Sequence, residues 1–237
     1  MEIFDLHTHV LPAVDDGART LEDARSMLIN AAASDVTHLV VTPHFRSPYF
    51  PPVTQEELHR CFMQLQEAAR DIPVRLYPGA EVHIADPLPD KLPTLNGSRY
   101  LLAELPPEIT FEESTTVLQQ LLGRGYIPVI AHPERYECVC REPERTEAWL
   151  ELGCHLQLTA GSILGKFGKA SLLAARCLLQ RDLVACVASD AHGPDFRTNY
   201  LADVYNHLQL HFDSQYARIL MWENPQRICA DLKLTEV

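Results

Sequence analysis

The sequence lacks the features of a membrane-spanning or secreted protein. It contains no run of 18 apolar residues, and its first residues, MEIFDLHTH, have neither a basic region nor a long apolar run. These absences argue against a transmembrane helix and a signal peptide. The seven cysteines are odd in number, form no CxxC pair and show no disulfide framework. We therefore expect a protein of a reducing compartment, the cytoplasm, without membrane insertion.

Basic residues are also scarce. The chain has 20 lysines and arginines against 32 acidic residues, which gives a formal net charge of −12 at pH 7. Proteins that bind nucleic acid through a broad surface usually carry clustered positive charge, so no nucleic-acid partner is expected. Part of the acidity could instead serve to bind cations.

Seven short apolar runs alternate with amphipathic segments along the chain. Each run is mostly aliphatic or β-branched, as is typical of buried parallel strands. Strands that alternate with helices predict an α/β fold, either a barrel or a doubly wound sheet. No linker-like stretch divides the chain, so residues 1–237 are expected to form a single domain. The apolar runs span residues 3–6, 37–42, 74–79, 99–104, 127–131, 154–159 and 183–189.

The segments between the runs predict helices. Thr20 and Thr54 are each followed three residues later by an acidic residue, a pattern that resembles an N-terminal capping box. Gly123 and Gly125 suit the end of another helix. Further helices are expected over residues 112–122, 143–152, 166–181, 198–210 and 213–221.

Ionisable side chains stand at the carboxyl ends of six of the seven runs. The exception is the sixth run, which ends in Thr159. In α/β barrel enzymes the active site lies at the carboxyl ends of the strands. Closing such a barrel would gather eight histidines and carboxylates around one mouth: His7, His9, His44, Glu81, Glu104, His132, Asp190 and His192.

This collection predicts a metal centre. A lone histidine after a strand is usually solvated or hydrogen-bonded, but carboxylates gathered without cations repel and raise one another's pKa. His7 and His9 lie two residues apart in an extended segment, so both can reach one ion. Five imidazoles with three carboxylates suit manganese, iron, zinc or cobalt better than calcium or magnesium. The set is too large for one ion, so two or three are expected.

The ordered set of motifs resembles the polymerase and histidinol phosphatase (PHP) superfamily of metal-dependent phosphoesterases. Within it, the sequence is most similar to the bacterial protein-tyrosine phosphatases of capsule and exopolysaccharide synthesis. The similarity extends over almost the whole chain, and LGCHLQLTAGSILGKFG (152–168) and ENPQRI (223–228) fit the same branch. The main motifs are DLHTHVLPAVDDGART (5–20), VVTPHF (40–45), PGAEVHI (78–84), SRYLLAEL (98–105), IPVIAHPERY (127–136) and ASDAHG (188–193).

The resemblance implies a distorted TIM-like (β/α)7 barrel with a trinuclear metal centre, manganese being the favoured ion. Asp16, in the turn-like sequence VDDG, becomes a candidate ligand through the resemblance alone. The implied ligand groups are His7, His9 and Asp190 for one ion, Glu81, Glu104 and His132 for a second, with Glu81 bridging to the first, and Asp16, His44 and His192 for a third.

The resemblance also implies a reaction, the hydrolysis of phosphate monoesters by a metal-activated hydroxide. The favoured substrate is phosphotyrosine on a protein, namely a bacterial tyrosine kinase of polysaccharide synthesis. Arg135, directly after AHPE, matches an arginine that the branch uses near the substrate. Arg197 lies in a more variable loop and is the second candidate catalytic arginine.

Three other functions are alternatives to this reaction. A cysteine-dependent tyrosine phosphatase needs an arginine six positions after its cysteine, and none of the seven cysteines has one. A small-molecule phosphatase acting on histidinol phosphate or a nucleotide stays open, because the metal cluster does not separate these substrates. A metal-stabilised binding protein without catalysis is disfavoured, since structural metal sites are usually closed and Arg135 would have no role there.

Overall fold

The computed structural model describes residues 2–235 and shows a mixed α/β fold built on parallel strands. The strands form two sheets, with the orders β1-β2-β4 and β3-β5-β6-β7-β8-β9. Every pairing within them is parallel. The strands are β1 (Ile3–Thr8), β2 (Val36–Val41), β3 (His44–Phe45), β4 (Arg75–Pro78), β5 (Glu81–His83), β6 (Tyr100–Glu104), β7 (Ile127–Ala131), β8 (His155–Thr159) and β9 (Cys186–Ala188).

The two sheets together form a distorted barrel of seven strand positions. A parallel bridge between Thr8 and Ala191 joins β1 to the segment after β9. On the opposite side the chain runs from β2 into β3 and from β4 into β5, so each of these pairs occupies one position. A 3₁₀ helix, Leu95–Gly97, contacts both β4 and β6 where a regular barrel would pair two strands. The predicted α/β barrel-like fold is thus confirmed, with this interruption.

Both split strands have a local cause. Pro43 separates β2 from β3 and has no N–H to donate to a neighbouring strand. Its carbonyl still accepts a hydrogen bond from the Glu81 backbone N–H, at 3.0 Å. Gly79 follows β4, and a Cβ there would lie 2.7 Å from Val40 Cγ1. Two of the seven predicted strands, 37–42 and 74–79, are therefore each followed by a further short strand that was not predicted, where the backbone turns toward the site.

The predicted helices are largely confirmed. Thr20 and Thr54 each form a complete capping box at the start of a helix, and the helix predicted over 112–122 spans 111–123. Three short helices were not predicted: α4, α6 and α10. The helices are α1 (Leu21–Ala33), α2 (Gln55–Ala68), α3 (Phe111–Gly123), α4 (Glu137–Arg141), α5 (Glu147–Glu151), α6 (Ala160–Ile163), α7 (Lys169–Gln180), α8 (Leu201–His211), α9 (Ser214–Arg218) and α10 (Asn224–Cys229).

Some predicted helices differ in type rather than in place. The segment 143–152 is divided into a 3₁₀ helix, Pro143–Thr146, and α5. The segment 213–221 begins as α9 and continues as a π-helix, Ile219–Glu223, that leads into α10. Among residues 2–235, no helix combines the length and the apolar character that crossing a membrane requires.

Two apolar clusters hold the strands in place. The larger one joins the helices to the sheets and includes Leu28, Leu65 and Leu118. The smaller one draws Leu6, Val40, Leu102, Val129 and Ala188 from strands all around the ring. Because these side chains contact one another, they fill the space that the strands enclose. The interior of the barrel is therefore filled by apolar side chains, and the polar groups lie at the carboxyl ends of the strands.

Candidate metal centre

All nine residues predicted as metal ligands lie together at the carboxyl ends of the strands. Most are buried, whereas Asp16 is half exposed. Asp16 lies in the loop after β1, His7 lies on β1, His9 follows it, His44 begins β3, Glu81 begins β5, Glu104 ends β6, His132 follows β7, and Asp190 and His192 follow β9.

His7 and His9 face each other in a way that suits a cation bound between them. Their Nε2 atoms are 3.1 Å apart. His9 Nδ1 lies 2.8 Å from a carboxylate oxygen of Asp15, which can only accept, so Nδ1 carries the proton. His7 Nδ1 lies 2.8 Å from the side-chain oxygen of Gln157 and is a donor in the same way. When both rings are neutral, their unprotonated nitrogens point toward each other, as those of metal-binding histidines do.

Glu81 occupies the middle of the cluster. Its Oε2 lies 3.3 Å from Nε2 of both His7 and His9 and 3.1 Å from His44 Nδ1. Its Oε1 lies 2.8 Å from His132 Nε2. Burial alone would raise the pKa of Glu81, but the charge of His7 and the hydrogen bond with His132 hold it well below its usual value. An ionised carboxylate at this depth can bridge cations on either side.

His44 brings two parts of the cluster together. Its Nδ1 lies 3.7 Å from Glu104 Oε2, and its Nε2 lies 3.6 Å from Asp16 Oδ1. His192 Nε2 lies 3.3 Å from the same Asp16 oxygen. Three groups have ligand atoms within 4.8 Å of one another and could each hold an ion: His9, Asp16, His44 and His192; His7, His9 and Glu81; and His44, Glu81 and Glu104.

This arrangement agrees with the expected ligand groups in part. Asp16, His44 and His192 lie together as expected, with His9 added to the group. In the middle group His44 takes the place expected for His132, whose Nε2 is hydrogen-bonded to Glu81. The motifs alone do not decide which of these two histidines binds which ion, because both lie beside the central carboxylate of Glu81.

Asp190 links the histidines to the two arginines. Its Oδ1 lies 3.6 Å from Nε2 of both His7 and His9. Its Oδ2 accepts hydrogen bonds from Arg135 Nη1 at 2.9 Å and from Arg197 Nη2 at 2.6 Å. Burial alone would raise the pKa of Asp190, but the charges of His7 and Arg197 hold it below its usual value. Arg135 and Arg197 therefore both lie at the mouth, beside the predicted ligands.

The backbone is unusual where it presents the ligands. His132 and Asp190 have φ of 37° and 52°, in the left-handed region that residues other than glycine seldom adopt. Gly17 ends the loop that carries Asp16, and a Cβ there would lie 1.9 Å from the carbonyl oxygen of His9. Strained conformations of this kind persist where the surrounding structure fixes them, often at functional sites.

The donor set fits divalent cations. Glu81 Oε2, His44 Nδ1 and His132 Nδ1 are buried and have no hydrogen-bond partner. Buried polar atoms of this kind carry a free-energy penalty unless something binds them. Imidazole nitrogens and carboxylate oxygens with no thiolate suit manganese, iron, cobalt and zinc.

Several supporting residues were not predicted. Asp15 orients His9 and also accepts from the His44 backbone N–H at 2.9 Å. Gln157 lies on β8, which corresponds to the one predicted run without an ionisable end, and orients His7. A glutamine between the two leucines of HLQLT is the signal that could have revealed it, because a buried amide needs a partner.

Asp5 supports the site from below by joining β1 to β9. Its Oδ1 accepts from the backbone N–H of Ser189 at 2.9 Å and from that of His7 at 3.3 Å. Burial raises the pKa of Asp5 to about 6, although these hydrogen bonds oppose the shift. The first and last strands are thereby fixed to each other directly beneath the ligands.

Fold and site together define a barrel-like α/β protein with a histidine and carboxylate cluster able to hold several divalent ions. The family profile described as capsular polysaccharide synthesis, CpsB/CapC, matches residues 3–230. The chain is 31% identical to the tyrosine-protein phosphatase CpsB of Streptococcus pneumoniae, over 97% of this chain and 99% of that protein. It is also 31% identical to the tyrosine-protein phosphatase YwqE of Bacillus subtilis, over 92% of this chain and 88% of that protein. The protein belongs to the CpsB/CapC family.

Solved structures agree with this assignment. The crystal structures of YwqE from Bacillus subtilis and CpsB from Streptococcus pneumoniae, unique metal-dependent tyrosine phosphatases, match with a TM-score of 0.91 and 28% identity, over 99% of this chain and 97% of the matched one. The lactonase Lmo2620 from Listeria monocytogenes matches with a TM-score of 0.61 and 11% identity, over 98% of this chain and 95% of that one. This second similarity concerns the fold alone. The resemblance seen in the sequence is confirmed.

Proposed function

We propose that this protein is a metal-dependent phosphatase that removes phosphate from phosphotyrosine on a protein. The observation that carries the proposal is the pair of arginines, Arg135 and Arg197, beside a cluster that could hold several divalent ions. Cations and guanidinium groups at one mouth suit a dianionic phosphate monoester. The relatives named tyrosine-protein phosphatase support the choice of phosphotyrosine among such esters.

We infer that the cluster holds two or three ions, with manganese favoured over iron, zinc or cobalt. His9, His44 and Glu81 each belong to two of the three groups of ligand atoms, so neighbouring ions would share ligands. The inferred ligands are the nine predicted from the sequence: His7, His9, Asp16, His44, Glu81, Glu104, His132, Asp190 and His192.

When bound, the ions would lower the pKa of water and neutralise phosphate charge. Arg135 and Arg197 would bind the other phosphate oxygens, because each has N–H groups besides the one that Asp190 accepts. Asp15 and Gln157 would keep His7 and His9 turned toward the ions. Departure of a tyrosine needs little proton donation, because a phenol has a pKa near 10 and is a better leaving group than an alkyl alcohol.

The partner and setting follow from this function. We propose that the substrate is a phosphorylated bacterial tyrosine kinase and that dephosphorylation takes place in the cytoplasm. Seven free cysteines support a reducing compartment. We also propose that residues 1–237 form one catalytic domain, because ligands from β1 to the segment after β9 meet at one mouth.

The test is hydrolysis of an aryl phosphate and of a phosphotyrosine peptide by the full chain. Activity should disappear after chelation and return with manganese, since the ions supply the chemistry described above. Histidinol phosphate and a nucleotide, assayed beside them, separate a protein phosphatase from a small-molecule phosphatase by kcat/KM. Full activity in a rigorously metal-free preparation would contradict the proposal. Preference for histidinol phosphate would change the substrate but not the reaction.

A further inference from the structure

Phe167 lies between the two arginines of the mouth. It belongs to the loop between α6 and α7, which follows β8, and β8 lies between β7 and β9 in the sheet. Arg135 follows β7 and Arg197 follows β9. Their guanidinium carbons are 4.9 Å and 5.6 Å from the centroid of the Phe167 ring. One aromatic ring thus contacts both cationic groups from the intervening position of the barrel.

The fold fixes this ring in place. Gly161 lies beneath it, and a Cβ there would be 2.6 Å from Phe167 Cε2, so the ring packs directly on the backbone of α6. The loop is tied back by a 2.8 Å hydrogen bond from Lys166 N–H to the Gly161 carbonyl. Gly165 and Gly168 flank the loop with φ of 74° and 91°, values that glycine adopts without strain.

The two arginines need such a support. Both donate to a single oxygen, Asp190 Oδ2, so two guanidinium groups share one buried negative charge. Like charges this close repel, and one carboxylate does not neutralise both. The face of an aromatic ring is negative and attracts a guanidinium placed over it. Phe167 therefore adds attraction for both groups without adding a carboxylate that would repel phosphate.

We propose that Phe167 is a positioning residue that holds Arg135 and Arg197 side by side as a phosphate clamp. The proposal rests on the proposed function, because it takes both arginines as phosphate ligands. Phe167 itself touches the arginines and acts through them. Replacing the ring by an aliphatic side chain should loosen both guanidinium groups while leaving the metal ligands undisturbed.

The first experiment compares Phe167→Leu and Phe167→Tyr with the unaltered full chain. With manganese bound, Phe167→Leu should lower kcat on an aryl phosphate, and weaken inhibition by inorganic phosphate, by roughly ten-fold each, within the range expected of cation–π contacts. Phe167→Tyr keeps the aromatic ring and should retain most of the kcat and most of the inhibition by phosphate. Metal content should be equal in all three. Phe212→Leu is the matched control, because Phe212 is partly buried and stacks on Tyr216 instead.

A second experiment separates positioning from a general structural effect. In an Arg135→Ala/Arg197→Ala background, Phe167→Leu should have little further effect on kcat, because a residue that acts through the arginines is coupled to them. Independently of activity, the Nε–Hε resonances of Arg135 and Arg197 in the metal-free protein should move in Phe167→Leu as the ring current is lost, and should remain close to their original positions in Phe167→Tyr.

The outcomes are distinguishable. Unaltered kcat and phosphate inhibition in Phe167→Leu would overturn the proposal, and so would a full additional loss in the doubly substituted background. If the unaltered chain hydrolyses no phosphate ester, the proposed function fails instead. Titration of the manganese-loaded protein with inorganic phosphate, followed by isothermal calorimetry, then decides the role of Phe167. Weaker binding in Phe167→Leu supports the clamp, and equal binding excludes it.

Discussion

Arg135 and Arg197 share one carboxylate oxygen, which allows one of them to be removed without leaving Asp190 unpaired. In Arg135→Ala, Arg197 Nη2 still donates to Asp190 Oδ2 at 2.6 Å. We therefore expect Arg135→Ala to fold and to keep its metal. Its kcat should fall by roughly 10²–10³, the usual cost of removing one donor at a developing charge. Arg135→Lys should recover only part, because an ammonium cannot make the planar two-point contact of a guanidinium.

This prediction is tested by measuring metal content and kcat on the same preparations. His132→Ala should lose metal as well as activity, because His132 contacts Glu81 at the centre of the cluster. Arg141→Ala is the matched control, since Arg141 is exposed on α4 and pairs with Glu137. An Arg135→Ala protein with full metal content and unchanged kcat would remove Arg135 from the reaction and leave Arg197 as the better candidate.

Residues that bear charge at strand ends could be found in the sequence, whereas those that orient them could not. His7 and His44 stand out because packing gives no reason to place imidazoles after apolar runs. Gln157 acts through an amide in the middle of a strand, and its partner His7 is 150 residues away in the chain. Phe167 looks like an ordinary apolar residue until Arg135 and Arg197 are seen on its ring. Long-range pairings of this kind exist only in three dimensions.

At the scale of single elements, the capping boxes contribute to stability and not to catalysis. The Thr54 side chain accepts from the Glu57 backbone N–H, and Glu57 accepts from Thr54 in return. Thr54→Ala should lower the free energy of unfolding by roughly 1 kcal/mol. For a chain of this size that corresponds to a fall in Tm of about 2–4 °C. The kcat should stay unchanged, because Thr54 is exposed at the start of α2 and contacts no predicted ligand.

Thermal unfolding with and without the substitution measures this effect. Thr116→Ala is the control, because Thr116 lies inside α3, where its hydroxyl donates to the Glu112 carbonyl and caps nothing. Alanine has the higher helix propensity there, so Tm should not fall. Equal losses of Tm in the two variants would show that the capping box contributes nothing beyond the hydroxyl group.

The elements that sequence patterns located well are those fixed by local chemistry. Strands β6 and β7 and helices α1 to α3 follow from apolar runs and threonine caps. Strands β3 and β5 lie beyond the predicted runs and are only two and three residues long. The short helices α4 and α6 are five and four residues long, and elements this short have little periodicity of their own.

On the scale of the whole molecule, the predicted metal ligands come from segments of the barrel that are far apart in the chain. Strand pairing joins each position of the barrel to the next, and an isolated bridge between Thr8 and Ala191 joins the last to the first. Ligands from β1, β3, β5 and β6 and from the segments after β7 and β9 meet at the mouth. Ions bound there would connect segments that are distant in the chain.

Manganese should therefore raise the melting temperature of the protein. A ligand that binds the native state alone stabilises it by roughly 2.7 kcal/mol at a hundred-fold excess over its Kd. For a chain of this size the shift is about 5–10 °C. Calorimetry with manganese and after chelation measures it. The Thr54→Ala variant should keep the full shift although its Tm is lower, whereas Glu81→Gln should lose most of it, because Glu81 belongs to two of the three ligand groups. Stoichiometric manganese binding with no change in Tm would show that the ions bind the unfolded chain as well as the folded one.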